Sequence, residues 1–368
     1  MKALIVYYGN YPEDRGILQL AKSLEKIGHD IDIVSKGSDY VDDTTGIRVF
    51  KKAEANYLLR KSWLLFLIAR IFTGKYDYVF CREIPLIAHL VLIKIVAEFK
   101  LVSDIRENLS GMYLSGHKIN LLRAFIAKFI FPILTRLMLR FSHLVCFSSQ
   151  ELSDALVGQN AMVLEKCIVT PNYPTKEYYE KAKNCLRDDQ TYKKTIFFSG
   201  HIKQNRGLNL LSAALDQLSD IELLKLRIMI VGDGDAREEL EHSLKKFSSL
   251  EVIFTGMVKP ESVVQLGRNA DVGFMGYIKT ANSELTLPGK LFEYFACGLH
   301  VISTPRRSLE KLDLPVNMIS YFNTYLDLAT YLRELLAKGH NTPRQDIIKY
   351  AKDNFSQSQN IQILKERL

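Results

Sequence analysis

Short apolar runs alternate with stripes of apolar residues at helical spacing along most of the chain. Lys2–Tyr8 predicts a first strand, Ile17–Ile27 predicts a helix, and Ile31–Val34 predicts a second strand. The alternation returns at Thr195–Phe198, which precedes leucines at helical spacing over 208–218. Apolar runs of this kind are typical of strands buried on both faces of a parallel sheet. The pattern therefore predicts an α/β protein with doubly wound sheets.

A break near the middle divides this pattern into two halves. Pro171 and Pro174 are followed by a polar run, Thr175–Lys194, before the next apolar strand begins. The chain has 368 residues, which is enough for two domains that each have their own core. We therefore expect a domain boundary in this region.

Composition is that of a folded protein, with 47% hydrophobic and 24% charged residues. The five cysteines are scattered and form no C-x-x-C pair, which argues against disulfides or a zinc site and favours a reducing cytoplasm. The first residues run directly into the predicted first strand, so we expect no signal peptide. Lys or Arg interrupts each apolar stretch before it reaches the roughly 20 residues that a spanning helix needs. We therefore expect no transmembrane helix.

The net charge of +8 is concentrated in residues 51–150, which hold 15 basic and 6 acidic residues. Two dense apolar stretches, 58–72 and 119–141, lie there with basic residues between the aliphatic ones. One interpretation is a monotopic membrane face, on which basic heads stay among lipid phosphates. The other is a pair of helices packed on a sheet with a charged rim. We do not expect nucleic acid as a partner, because no nucleic-acid-binding module is recognisable.

Two segments of the second half place basic residues where a helix begins. Residues 288–305 read as a loop, a helix from Lys290 to Gly298 and a short strand. Residues 200–207 form a turn between a predicted strand and helix, and include Arg206. The first amides of a helix have no partner within it and point at an anion readily. Both segments are therefore candidate phosphate sites.

These segments resemble the donor site of retaining GT-B glycosyltransferases of glycosyltransferase family 4. P-G-K-L-F-E-Y-F-A-C-G-L-H-V-I (288–302) is similar to the motif P-x-K-x-x-E-Y-x-A-x-G-x-P-V-I of one subgroup, and G-H-I-K-Q-N-R-G (200–207) to the turn G-R-x-x-x-x-K-G. The resemblance implies the GT-B fold, in which two Rossmann-like domains face each other across a cleft. The expected division is an acceptor-binding domain 1–172, a linker 173–194, a nucleotide-sugar-binding domain 195–345, and a C-terminal helix 346–368 that crosses back to the first domain.

The resemblance also implies a set of donor-site residues. The expected catalytic residues, which stabilise the departing diphosphate, are Arg206, Lys290 and His201. The expected nucleotide-binding residues are Glu293 on the ribose, together with Gly200, Gly256, Val258, Gly289 and Leu291. His201 replaces the arginine of the family and could instead bond loop carbonyls; Lys290 and Glu293 could form an ordinary solvated pair. Glu284 stands one residue from the family's donor-sugar glutamate, so it either contacts that sugar or the role is absent.

The first half contributes the expected acceptor side. The strand 100–105 ends in D-I-R-E, and strand ends in such sheets face the ligand. The candidates are Arg15, Gly16, Asp104, Arg106 and Glu107. Arg15 stands where the family usually has glycine and could equally be a solvated loop residue. A structural ion pair between Arg106 and Glu107 is an alternative to acceptor binding.

The implied activity is transfer of a sugar, with retention, from a nucleotide sugar to a glycan or polyprenyl-lipid-linked acceptor in cell-surface polysaccharide assembly. A UDP-sugar is the expected donor. No cofactor and no metal are expected, since the resemblance places no metal at G-D-G-D (232–235) and the glycines predict a tight turn there. The expected location is the cytoplasm, peripheral on the inner face of the cell membrane. A binding subunit without turnover and a sugar-nucleotide epimerase of the same fold remain alternatives.

Overall fold

The strands of the chain are arranged in two separate sheets. The computed structural model describes residues 1–10, 14–36, 40–41, 47–52, 57–115, 119–185, 192–339 and 343–368. Their contacts divide the chain into two units. Unit 1 consists of Met1–Asn172, Thr280–Thr286 and Gln357–Leu368, and unit 2 of Tyr173–Lys279 and Leu287–Ser356.

Unit 1 contains a sheet of eight strands in the order β3-β4-β2-β1-β5-β6-β7-β8. The strands are β1 (Lys2–Asn10), β2 (Asp30–Lys36), β3 (Tyr40–Val41), β4 (Arg48–Lys52), β5 (Tyr78–Cys81), β6 (Lys100–Ile105), β7 (Leu144–Phe147) and β8 (Cys167–Val169). Neighbouring strands are parallel except for β3, which pairs antiparallel with β4 at the edge. The helices before unit 2 are α1 (Arg15–Lys26), α2 (Tyr57–Gly74), α3 (Ile87–Val96), α4 (Leu109–Leu114), α5 (Leu121–Phe125), α6 (Phe131–Phe141), α7 (Gln150–Val157) and α8 (Ala161–Leu164). A 3₁₀ turn at Ile84–Leu86 precedes α3, and a π-helical turn at Ile126–Ile130 joins α5 to α6.

Unit 2 contains a parallel sheet of six strands in the order β11-β10-β9-β12-β13-β14. The strands are β9 (Lys194–Ser199), β10 (Leu226–Val231), β11 (Glu251–Gly256), β12 (Val272–Met275), β13 (His300–Ser303) and β14 (Ile319–Tyr321). The helices are α9 (Lys176–Asn184), α10 (Leu208–Leu215), α11 (Asp220–Leu223), α12 (Arg237–Leu244), α13 (Pro260–Arg268), α14 (Gly289–Ala296), α15 (Arg307–Glu310), α16 (Tyr325–Lys338) and α17 (Arg344–Asn354). A 3₁₀ turn, Gln204–Arg206, precedes α10.

After the short segment Thr280–Thr286, the chain makes its final return to unit 1 beyond α17. Tyr179 Oη donates to the carbonyls of Ala351 and Phe355, at 2.9 and 3.0 Å, which holds the end of α17 in unit 2. The last helix, α18 (Gln357–Arg367), packs on α1, where Gln357 Nε2 donates to the Gln19 carbonyl at 2.9 Å. The return to unit 1 therefore begins at Gln357 rather than at the predicted residue 346, because the apolar residues of α17 are part of the unit 2 core.

Helices cover both faces of each sheet, and buried residues form one apolar cluster on each face. The predicted pair of doubly wound α/β domains is therefore confirmed. In α14, Leu291, Tyr294 and Phe295 are buried. Cys297, directly after α14, is also buried, with its sulfur against Gly267 of α13.

Strand order reverses direction at one position in each sheet. In unit 1 the reversal lies between β1 and β5, and in unit 2 it lies between β9 and β12. In open parallel sheets, ligands bind beyond the carboxyl ends of the strands at such a switch point. The residues that follow these four strands are therefore the first place to look for a functional site.

Candidate active site

The turn after β9 brings Arg206 to the switch point of unit 2. It begins at Gly200, with φ of +110°, and closes at Gly207, with φ of +67°. A Cβ at position 207 would lie 1.4 Å from the carbonyl oxygen of Gly276, which follows β12. Glycine at 207 therefore allows the two strand ends to meet backbone to backbone, and Arg206 lies directly beside this contact.

Arg206 contacts an aromatic ring but makes no ion pair with a residue that the structure describes. Its guanidinium carbon lies 4.6 Å from the ring centroid of Tyr277, and its Nε is buried without a hydrogen-bond partner. The Ile278 amide donates to the Asn205 carbonyl at 3.1 Å, which ties the Tyr277 loop to the turn. The charge of Arg206 is thus held in place without a carboxylate to neutralise it.

Lys290 lies at the second position of α14 and reaches the same turn. Its Nζ is buried without a hydrogen-bond partner, 4.0 Å from the ring centroid of Phe198. A Cβ at position 200 would lie 2.9 Å from this Nζ, so glycine at 200 leaves the space that the lysine occupies. Burial and, to a smaller extent, the charge of Arg206 together lower the pKa of Lys290 to about 7, while Glu293 opposes the shift.

The electrostatics of this pair favour an anionic ligand. Two cations lie near each other, and burying a charge without a partner costs free energy. Glu293, one helical turn after Lys290, is half-buried and is the acid that raises the pKa of Lys290. Helix α14 begins at Gly289, and its first amides have no partner from an earlier helical turn. A phosphate group here would be held by both cations and by the helix start.

The described contact of His201 is with a loop carbonyl. Its side chain is exposed, and Nδ1 forms a hydrogen bond of 2.9 Å to the Asp233 carbonyl. The structure thus has the loop-carbonyl bond that was the alternative for this histidine. In the segment 232–235, a Cβ at Gly232 would lie 2.2 Å from the Gly200 carbonyl oxygen, so the backbone passes close to the turn after β9. Within the described ranges, no group of three or more His, Cys, Asp or Glu side chains could hold a metal ion.

The other predicted nucleotide contacts are backbone positions or core residues. Gly256 ends β11 with φ of +68°, and its carbonyl accepts from the Gly232 amide at 2.9 Å. Val258 is half-buried against the unit 2 core. Leu291 is fully buried and its amide donates to the Pro288 carbonyl at 3.1 Å, so its side chain is a core residue.

The switch point of unit 1 is organised by Arg82, which the sequence analysis did not single out. Its Nε and Nη2 donate to Asp104 at 2.9 and 2.8 Å, and Nη1 donates to Asp14 at 3.0 Å. Asp14 also caps α1 and accepts from Tyr7 Oη at 3.1 Å. A Cβ at Gly16 would lie 3.0 Å from Arg82 Nη1, so glycine there leaves room for the guanidinium. Arg82 follows β5, and the strand-end rule applied to Asp104 would have found it.

Asp104 is buried at the end of β6 and is paired on both sides. Arg106 Nε lies 2.6 Å from the second carboxylate oxygen. Burial alone would raise the pKa of Asp104, but the charges of Arg106 and Arg82 outweigh it and lower the pKa. Glu107 is exposed. The ion pair considered for Arg106 therefore exists, with Asp104 as its partner in place of Glu107.

Two predicted contacts lie outside this geometry. The side chain of Arg15 is outside the described residues; its backbone is the first residue of α1. Glu284 belongs to the segment Thr280–Thr286 of unit 1, where the Asn108 amide donates to Asn282 Oδ1 at 2.7 Å. One Glu284 carboxylate oxygen is buried without a hydrogen-bond partner.

Comparison with known proteins connects this geometry to a family. Residues 193–336 match the sequence model of the family described as Glycosyl transferases group 1. This range contains the turn with Arg206, all of α14 and every strand of the unit 2 sheet. No curated protein matches the chain by sequence.

Solved structures resemble the whole chain. Anabaena HepE, in a crystal structure with UDP and glucose, has a TM-score of 0.76 at 16% identity, over 100% of this chain and 98% of that one. Sucrose-phosphate synthase from Thermosynechococcus elongatus has a TM-score of 0.76 at 13% identity, over 100% and 98%. WaaG, a glycosyltransferase involved in lipopolysaccharide biosynthesis, has a TM-score of 0.69 at 14% identity, over 98% and 99%. At these identities the likeness establishes the fold. The chain thus has the fold of GT-B glycosyltransferases, and its residues 193–336 match the Glycosyl transferases group 1 model.

Proposed function

We propose that the protein transfers a sugar from a nucleotide-sugar donor to a glycan or polyprenyl-lipid-linked acceptor, with retention at the anomeric carbon. The observation that carries this proposal is the pair Arg206 and Lys290, two neighbouring cations whose Nε and Nζ are buried without a described hydrogen-bond partner, at the switch point of the domain that matches Glycosyl transferases group 1. We also propose that the protein belongs to the subgroup of family 4 whose motif residues 288–302 resemble.

The chemical role of these residues follows from the charge that develops on the diphosphate. Negative charge grows on the leaving group as the glycosidic bond breaks, and fixed positive groups lower that barrier by roughly 2.7–4 kcal/mol for each contact. Arg206 offers a planar fork for two phosphate oxygens, and Lys290 adds a compact charge beside it. In this proposal the two cations and the start of α14 supply the positive charge, so no divalent metal is required.

The remaining donor contacts are assigned by position. Glu293 binds the ribose hydroxyls from the turn of α14 that follows Lys290, and the backbone of Gly256 and Val258 binds the base. UDP-sugar is the proposed nucleotide sugar, and the complex of HepE with UDP and glucose supports that choice. Glu284 remains the proposed donor-sugar contact. His201 has the weakest support, since its ring is bonded to a loop carbonyl.

The acceptor is proposed to be a cell-surface polysaccharide precursor, and the involvement of WaaG in lipopolysaccharide biosynthesis supports that class. On the proposed acceptor side, Asp104 pairs with both Arg82 and Arg106, and Gly16 lies against Arg82. Glu107 is exposed after β6 and is the side chain of that set that is most open to a ligand.

We further propose that residues 119–141 contact an anionic membrane surface. Apolar side chains are exposed here, with Leu121 at 91%, Leu122 at 66% and Phe129 at 56%. Arg123, Lys128, Arg136 and Arg140 lie among them. The neighbouring helix α3 adds Leu92, Ile95 and Val96, which are also exposed. Basic heads beside exposed apolar side chains fit a lipid surface with anionic headgroups.

The second stretch, 58–72, supports this surface less directly. In the part of α2 whose side chains are described, Leu65 and Phe72 are exposed, but Leu67 and Ile71 are core residues. Arg70 binds Asp32 at 2.7 Å and stacks on Phe50, so its charge faces the protein. In the described ranges, no helix has the length and apolarity that crossing a bilayer requires. We thus propose that the protein binds to the surface of the bilayer and does not insert across it. The proposed location is the cytoplasmic face of the cell membrane.

Vesicle flotation tests the membrane contact. We expect the protein to float with vesicles that contain phosphatidylglycerol and less with neutral phosphatidylcholine vesicles. Replacing Leu121 and Leu122 together by Glu should abolish flotation, whereas replacing the exposed Ile221 of unit 2 by Glu should not. Equal flotation of both variants would contradict the assignment of this surface.

A donor panel tests the activity itself. UDP-, GDP- and dTDP-sugars are each incubated with the protein, with and without a polyprenyl-diphosphate-linked saccharide, and released nucleotide and product are measured. We expect UDP release that increases with the acceptor, and a product that keeps the anomeric configuration of the donor. Binding of the nucleotide sugar without release of nucleotide would identify a binding subunit. An epimerised nucleotide sugar, or free nucleotide, formed without any acceptor would identify an epimerase.

A further inference from the structure

The ring of Tyr277 is contacted by two arginines at the switch point of unit 2. The guanidinium carbon of Arg206 lies 4.6 Å from the ring centroid, and that of Arg306 lies 4.5 Å from it. Tyr277 and Arg306 are both buried, at 7% and 3% exposure. A cation within about 6 Å of an aromatic centroid is attracted by the ring. One tyrosine therefore interacts with two positive charges.

The position of Tyr277 is fixed from three directions. Thr304 Oγ1 donates to its carbonyl at 2.7 Å, which ties it to the end of β13. The following amide, of Ile278, donates to the Asn205 carbonyl at 3.1 Å. The preceding residue, Gly276, lies against Gly207 so closely that neither position has space for a side chain. The ring is thus a rigid platform on the backbone of the turn that carries Arg206.

Arg206 depends on that platform for its orientation. An arginine side chain has about 2 kcal/mol of rotamer entropy to lose when it is held in one position. Ion pairs normally meet part of this cost, but Arg206 forms none with a described residue, and its Nε has no hydrogen-bond partner there. The cation–π contact with Tyr277 is the interaction that the structure gives it. Such contacts contribute about 0.5–2 kcal/mol, comparable to the entropy that must be offset.

We propose that Tyr277 is a positioning residue for Arg206, and that Arg306 helps to hold the ring in the position that Arg206 requires. The proposal rests on the function proposed above, in which Arg206 stabilises the departing diphosphate. A misplacement of about 1 Å in a group that stabilises a transition state can cost on the order of 100-fold in rate. The ring thus acts on the reaction through the guanidinium and does not touch the substrate.

A comparison of three tyrosine variants tests the platform. Tyr277→Leu removes the ring, and Tyr277→Phe keeps it. We expect Tyr277→Leu to lower kcat by about 10- to 100-fold, with a smaller change in the donor KM, and Tyr277→Phe to keep kcat within about threefold. Tyr325→Leu, at a tyrosine with 39% exposure in unit 2, is the matched control and should change neither. Circular dichroism and thermal unfolding identify any variant that fails to fold.

A double-mutant cycle separates positioning from a general structural role. In the Arg206→Ala background, Tyr277→Leu should cost less than twofold, since the group that it positions is absent. The same double-mutant cycle is also measured with the dissociation constant for UDP, determined by calorimetry, which does not depend on turnover. If no donor is turned over but the UDP cycle shows coupling, the platform stands and the proposed function fails. Additive losses in the UDP cycle, or a Tyr277→Leu variant that equals the wild type, would overturn the platform.

Discussion

The switch points of the two units are built from similar residues, but among the described residues the charges are paired in unit 1 and unpaired in unit 2. In unit 1, Arg82 lies between two carboxylates, those of Asp14 and Asp104, and all of its contacts are supplied by the protein. In unit 2, Arg206 and Lys290 lie near each other, and the Lys290 amine is buried without a hydrogen-bond partner in the described structure. The same edge of the same type of sheet thus holds a neutralised cluster in one unit and excess positive charge in the other.

Under the proposed function, this difference separates charges that stabilise the fold from charges that bind a ligand. A buried ion pair loses several kcal/mol when one partner is removed, because the other charge is left uncompensated. A buried cation that has no partner already carries that cost and gains when an anion binds. We therefore expect substitutions in unit 1 to change the free energy of unfolding, and substitutions in unit 2 to change binding and rate.

The largest expected effect is that of Arg82→Ala. It leaves the carboxylate of Asp104 buried with Arg106 as its remaining cation, and should lower the free energy of unfolding of unit 1 by about 3–5 kcal/mol. Urea denaturation measures this change, with the exposed Arg123→Ala as the control, expected within about 0.5 kcal/mol of the wild type. Loss of activity with an unchanged free energy of unfolding would instead show that Arg82 acts in binding or catalysis.

Arg206→Ala should show the converse. Turnover falls by about 100- to 1,000-fold, as for removal of one donor to a developing charge. The unfolding midpoint stays close to that of the wild type, because no described ion pair is broken. Steady-state release of UDP and thermal unfolding are measured on the same preparation. A purified variant with near-normal turnover would remove Arg206 from the site.

The affinity for UDP should depend on pH through Lys290. Its pKa is lowered to about 7, so the amine is charged below pH 7 and loses its proton as the pH rises above that value. Arg206 favours this loss and Glu293 opposes it. Between pH 7 and 9, affinity for UDP should therefore fall, with a limiting slope of about tenfold per pH unit for one linked proton. Lys290→Met should bind more weakly and without this slope; an unchanged slope in that variant would assign the titration to another group.

The smallest expected effect is a gain in stability in Lys290→Met. The folded protein has the lower pKa, so the unfolded chain binds more protons above pH 7, and wild-type stability rises from that pH towards the ordinary lysine pKa of 10.5. At pH 7 the variant should be more stable by about 1 kcal/mol, a rise of roughly 2–4 °C in Tm. The exposed Lys225→Met is the matched control. A less stable Lys290→Met would show that the amine has a structural partner.

Much of the architecture at the unit 2 switch point was predictable because its elements are local in sequence. Apolar runs gave the strands, and the glycines at 200, 207 and 298 marked turns that have positive φ in the structure. The motifs placed Lys290 and Arg206 at two helix starts. Tyr277 was not found, since its role depends on two arginines that are distant from it in sequence and adjacent in space.

The sequence by itself determined two doubly wound sheets and the residues that lie at the ends of their strands, because periodicity and turn chemistry act over a few residues. Tertiary structure alone decided which of those charges are neutralised. Asp104 is paired with Arg82 and Arg106, Cys297 is buried against α13, and the Lys290 amine is buried beside Phe198 without a described hydrogen-bond partner. Burial and the identity of a charge's neighbours are set by contacts between distant segments. These contacts distinguish a cluster of balanced charges from one with uncompensated positive charge.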